Sequence, residues 1–195
     1  MISLKSNIVL ENNDMKDLLA EVDRFTETQS LTKKERIRIR LLTEEAVGVL
    51  KATVKEGKGE LKIESTENEY VISFAIDTPC ISDDSKEKLI ETSSGNKNEF
   101  YQGFTGKIRQ AIEWLTNTDK YTAANAAPAG YSMGFIDTSR GTQWSYQQFK
   151  KDITTDNKDN WDELERSVLS KLANEILVGV SEHTVSLKVF YRTGK

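Results

Sequence analysis

Among its 195 residues the chain has one cysteine, two prolines and one histidine. Because Cys80 has no second cysteine to pair with, an internal disulfide is excluded and a reducing compartment is favoured. No apolar run approaches the roughly 20 residues that a membrane-spanning helix needs, and the opening residues lack the pattern of a secretion signal. These absences predict a cytoplasmic protein that does not enter a membrane.

The chain also lacks an excess of positive charge. It has 27 lysines and arginines against 31 aspartates and glutamates, a net charge of -4, so no bulk attraction draws it to nucleic acid or to an anionic membrane. The basic run over residues 33–40 would be spread around a helix axis, which is typical of a solvated face. With 37% hydrophobic and 30% charged residues, the sequence predicts one globular domain over residues 1–195.

Periodicity is clear in the first 80 residues. Apolar residues alternate over residues 2–10, which predicts a half-buried strand. Apolar spacings of three and four then predict a helix over residues 14–28, with Asp14 as its cap. Alternation returns over residues 61–65 and 70–76, separated by a short polar connection, and predicts an antiparallel hairpin.

A second helix is predicted between the first one and this hairpin. Thr32, followed three residues later by Glu35, has the capping-box pattern of a helix start. Gly57 and Gly59 are the expected end of this helix. Its expected core stripe consists of five apolar residues: Ile39, Leu42, Ala46, Val49 and Leu50.

The pattern is weaker in the second half of the chain. We interpret residues 82–160 as an insertion or lid, because clear periodicity is lost there and apolar content is thin. One sheet covered on one face by helices would bury the predicted apolar faces, so the expected class is α+β. The elements predicted beyond the first hairpin are helices over residues 98–117, 143–153 and 161–174, and strands over residues 176–180 and 185–191.

Three segments carry a resemblance to a known family. In LTKKERIRIRLLTEEAVGVLKA, residues 31–52, Glu45 is followed four positions later by Val49; in the hairpin, Asp77 is followed two positions later by Pro79. These positions, together with the last helix and hairpin, resemble the GHKL (histidine kinase-like) ATPases of the anti-sigma-factor serine kinase type. Glu45 matches the glutamate of the family's N box and Asp77 the aspartate of its D-x-G-x-G motif. Val49 and Pro79 depart from the asparagine and the first glycine.

The resemblance implies an α/β sandwich with a Bergerat-type mixed sheet, in which Glu45 and Asp77 meet in a nucleotide cleft and residues 82–160 lie where the family has its ATP lid. Asp77 would accept a hydrogen bond from the adenine amine of ATP or ADP, and Glu45 would be the catalytic carboxylate. Val49 has no oxygen, so the family's Mg²⁺ ligand is missing.

A phosphate site is a separate hypothesis. Gly103, Gly106 and Lys107 precede a predicted inner helix face that starts at Ile108, and such a glycine-containing helix start with a lysine can hold an anion. Two glycines and a lysine are also common in ordinary surface turns, which is the alternative interpretation of this segment.

Two functions lead on the sequence, and a true serine or histidine kinase ranks last because the metal-ligating asparagine is missing. The first is an adenine-nucleotide-binding regulatory protein with weak or no ATPase or kinase activity. The alternative is a pseudo-enzyme scaffold that holds no nucleotide and acts as a protein-interaction module. The resemblance implies a protein partner, a sigma factor or an anti-anti-sigma factor, with a homodimer also open.

Overall fold

The computed structural model of the protein describes residues 2–10, 15–54, 56–78, 103–117, 134–138, 141–152, 167–181 and 183–194. Seven strands lie in these ranges: β1 (Ile2–Val9), β2 (Lys58–Ser65), β3 (Glu69–Asp77), β4 (Phe135–Thr138), β5 (Gly141–Ser145), β6 (Glu175–Ser181) and β7 (Thr184–Arg192). The described helices are α1 (Met15–Glu27), α2 (Lys33–Thr53), α3 (Gly103–Asn117), α4 (Tyr146–Asp152) and α5 (Val168–Leu172).

The strands form one sheet in the order β1-β2-β3-β7-β6-β5-β4. Every neighbouring pair in this sheet is antiparallel, which differs from the mixed sheet that the resemblance implied. Three of the pairs are hairpins, β2–β3, β4–β5 and β6–β7, and a hairpin connection necessarily makes its strands antiparallel. The α+β class predicted from the sequence is confirmed.

The two faces of the sheet differ in burial. On β3 and β7 the buried residues alternate with half-buried or exposed ones, and the registered pairs Ile72–Val189 and Phe74–Leu187 both point to the buried face. The helices supply the other side of this core, through Val22 of α1, Leu50 of α2, Ile108 of α3 and Leu169 of α5 among others.

Helix α2 is the central helix of this layer. It begins with the predicted capping box: the amide of Glu35 donates to the Thr32 hydroxyl at 3.3 Å, and the Glu35 carboxylate accepts from the Thr32 amide at 2.9 Å. The five residues of the expected core stripe are all buried.

The predicted end of α2 is wrong. The helix stops at Thr53, where Val54 takes an extended conformation, and Gly57 and Gly59 lie beyond it. Gly59 is part of β2, where a β-carbon would lie 1.9 Å from the carbonyl oxygen of Ala75. The glycine is therefore required by close approach of two strands and not by helix termination.

The described part of residues 82–160 belongs to the same core. Strands β4 and β5 extend the sheet, and Trp144, Tyr146 and Phe149 are buried. Residues 143–145 are therefore a strand and not the start of a helix, and α4 begins at Tyr146. Several predicted positions lie outside the described residues: the expected cap Asp14, Pro79, Cys80, and residues 98–102 and 153–166.

Candidate functional site

Glu45 lies on α2 and is half-buried. Its carboxylate accepts a hydrogen bond of 3.1 Å from the Ser167 hydroxyl. Ser167 is the residue before α5, and its hydroxyl makes no cap hydrogen bond to that helix because it is directed to Glu45. The carboxylate thus connects α2 to the residue before α5, a contact that stabilises the packing of the two helices.

Val49, one turn further along α2, is 2% exposed and belongs to the hydrophobic core. The position at which the resembling family has a metal-ligating asparagine is therefore an apolar packing position in this chain. Within the described ranges, no group of three or more histidine, cysteine, aspartate or glutamate side chains could hold a metal ion.

Asp77 lies at the end of β3 and is exposed. Its carboxylate accepts a hydrogen bond of 2.6 Å from the hydroxyl of Thr184, its registered partner on β7. Because neighbouring residues of a strand point to opposite faces, and Ile76 points into the core, the Asp77 side chain lies on the face away from the helices.

The two acidic residues of the predicted cleft therefore do not converge. Glu45 is on the helix layer and binds Ser167, whereas Asp77 is on the opposite face of the sheet and binds Thr184. A cleft between helix and sheet lined by both carboxylates is not what the described residues form.

The predicted phosphate segment is also different in the structure. Gly103 is the first residue of α3, and Gly106 and Lys107 lie within this helix and not in a loop that precedes it. Gly106 is buried and Lys107 half-buried. Backbone amides beyond the first turn bond to the helix's own carbonyls, so of these three residues only Gly103 lies where an amide lacks an intrahelical partner.

A surface depression lies at the end of the sheet where β2 turns into β3. It has a volume of about 460 Å³, and the charged groups within it are already paired: Arg192 Nε lies 3.0 Å from Glu69 Oε1. Glu175 accepts from the amides of Gln147 and Ile176, at 3.1 and 2.8 Å. The charged groups that line the depression are therefore bonded to other groups of the protein, which accounts for their presence without a ligand. It is lined by Glu69, Gln147, Asn174, Glu175, Phe190 and Arg192.

The outer surface of α2 carries an apolar feature that the sequence-based interpretation missed. Ile37 and Leu41 are 47% and 38% exposed, although large apolar side chains are usually buried. They are one turn apart and lie off the core stripe, so their spacing in the sequence could have revealed them. Farther along the same line, Gly48 has nothing within 4 Å of where its β-carbon would be.

No helix in the described ranges is both long and apolar enough to cross a membrane. The sequence matches none of the known protein-family models and has no significant match among curated proteins.

Proposed function

We propose that this protein is an interaction module built on a nucleotide-binding-like α/β sandwich, and that it acts by contacting a protein partner without holding a nucleotide. The observation that carries the proposal is the separation of Glu45 from Asp77, each with its own hydroxyl partner on its own side of the sheet. Adenine recognition and phosphate chemistry need their groups in one site, because each must reach the same bound molecule.

Two further observations support the proposal. Val49 is committed to the core, so restoring the family's oxygen ligand there would place a polar group among apolar side chains. In addition, Ile37 and Leu41 leave two neighbouring apolar side chains exposed on α2, which a protein partner could cover. By resemblance, the partner class is a sigma factor or an anti-anti-sigma factor, and the Bergerat kinship stays part of this proposal.

Calorimetric titration with ATP and with ADP, each with and without Mg²⁺, tests the proposal. We expect no binding heat at nucleotide concentrations of about 1 mM, which corresponds to less than about 4 kcal/mol of binding free energy. A saturable heat that disappears in both Glu45→Gln and Asp77→Asn would overturn the proposal and restore the nucleotide-binding hypothesis. Thr184→Val is the matched control, because it removes only the hydroxyl that now binds Asp77.

A further inference from the structure

The exposed residues of α2 follow one face of the helix. We call it the outer ridge of α2, and its residues recur at the three- and four-residue spacing of one helix face. All of them are exposed. The sheet, α1, α3 and α5 all contact α2, so this ridge is the side that those elements leave open. It consists of Lys34, Ile37, Leu41, Glu44 and Gly48.

The order of charges and apolar residues along the ridge is symmetric about position 39. Ile37 and Leu41 lie two positions either side of it, and Lys34 and Glu44 five positions either side. In an antiparallel pair of identical helices centred there, Ile37 faces Leu41 of the copy. Lys34 likewise faces Glu44 of the copy, and the two-fold axis repeats both contacts.

From this complementarity we infer that the outer ridge of α2 is a homodimer contact, with α2 packed antiparallel on α2 of a second copy. Four apolar side chains would form its centre, and two lysine–glutamate pairs would close its ends. The opposite charges fix the antiparallel register, since a parallel pair would place lysine near lysine and glutamate near glutamate.

Nearby arginines do not oppose this arrangement. Arg38 and Arg40 would also face each other across the axis, but both are half-buried and engaged to the sides of the ridge. Arg38 donates to the Tyr191 hydroxyl at 3.4 Å, and Arg40 forms an ion pair with Asp23 of α1. At the far end, Gly48 offers no side chain, which leaves room for the approach of the second copy.

One helix ridge is smaller than the roughly 1,200–2,000 Å² buried in stable complexes, so the dimer should be weak, with a dissociation constant on the order of tens of micromolar. Sedimentation equilibrium over a concentration series reaching about 1 mM would measure it. We expect Leu41→Glu to weaken association by at least about tenfold, because it places a charge in the apolar centre.

A charge-exchange series tests the register. Lys34→Glu and Glu44→Lys should each weaken the dimer, and the double variant K34E/E44K should restore it. Ten helical residues separate the two positions by about 15 Å within one chain, so rescue must arise between chains. The control is Ile2→Ser, which removes a 55% exposed apolar side chain on β1 and should leave association unchanged. Circular dichroism of each variant checks that it is folded.

Three results would overturn the inference: a wild type that stays monomeric across the series, a dimer that survives Leu41→Glu, or a double variant that is not rescued. This inference rests on the proposed interaction role, and nucleotide calorimetry on the same samples separates the two. A monomer that binds no nucleotide would contradict only the homodimer inference, and the proposed function would then require a different protein partner. A dimer that binds nucleotide would contradict only the proposed function.

Discussion

The two ends of the sheet differ in how their core is built. At the β1–β2–β3–β7 end, mostly aliphatic side chains alternate along long strands and pack under α1 and α2. At the β5–β4 end the strands are only five and four residues long, and aromatic rings replace the aliphatic alternation. Phe104 lies 5.1 Å from the Tyr146 ring and 6.2 Å from that of Trp144.

This difference shows two ways to fill a core. The long strands gain stability from many similar aliphatic residues, with the rings of Tyr70, Phe74 and Tyr191 placed singly among them. The short strands depend on a few large rings in tilted or edge-on contact, which bury much area per residue but need specific geometry. Helix α3 joins the ends, because it contacts α2 and also β5 and β6.

The largest expected effect comes from removing a ring at either end. Phe74→Ala on β3 and Trp144→Ala on β5 should each cost about 3–5 kcal/mol of unfolding free energy, since both side chains are buried. Because both belong to one contiguous core, each variant should unfold in one transition in urea followed by circular dichroism.

The control for this comparison is Val71→Ala, on the other face of β3, where the side chain is half-buried. It should cost less than about 1 kcal/mol. A two-step unfolding curve for Phe74→Ala, with one end of the sheet persisting after the other has melted, would break the picture of a shared core and make the two ends independent units.

A smaller effect is expected at two glycines, one in each region. Gly134 precedes β4 with φ of +94°, and a β-carbon there would lie 2.5 Å from Trp144 Nε1. Gly134→Ala should therefore cost about 2 kcal/mol or more. Gly48→Ala on α2 should instead stabilise the protein by about 0.5–1 kcal/mol, because alanine favours a helix and nothing crowds the position.

Thermal unfolding of both glycine variants, at a concentration low enough to keep the protein monomeric, measures these changes. If the two changes in unfolding free energy have opposite signs, the surroundings of Gly134 depend on specific geometry, whereas those of Gly48 depend on regular helix formation. Equal losses at both positions would contradict it.

The sequence was sufficient for the elements whose periodicity follows one face. The hairpin of β2 and β3, the capping box of α2 and the final hairpin were predicted because alternation and capping are local properties. The β4–β5 hairpin was missed. Strand β5 has one buried aromatic residue, Trp144, which contacts the ring of Phe149 in the helix that follows and the ring of Phe104, 40 residues earlier in the chain.

The candidate site was harder to predict for a physical reason. Spacing in the sequence indicates that Glu45 follows a helix face, and the alternation over residues 70–76 puts Asp77 on the face opposite Ile76. Spacing does not give the partners Ser167 and Thr184, which lie 122 and 107 positions away in the chain. A shift of one residue in a strand moves a side chain to the opposite face. Here Thr78 is buried and Asp77 is exposed, and that alternation separates the two carboxylates.

The smallest effect concerns the start of α2, the element predicted best. The Thr32 hydroxyl and then its amide bond to Glu35 and hold the pKa of that carboxyl below its ordinary value of 4.5. A lowered folded pKa stabilises the fold above about pH 4.5, and the stabilisation is lost as the pH falls through the folded value. Thr32→Ala should cost about 1 kcal/mol at neutral pH, mostly from the lost cap, and the gap to the wild type should narrow in acid. Thr32→Ser keeps the hydroxyl and should retain most of the stability. Urea titrations at pH 7 and pH 3 compare the unfolding free energies of the wild type and the two variants. If Thr32→Ala loses the same free energy at both pH values, the Glu35 carboxylate plays no part in the cap.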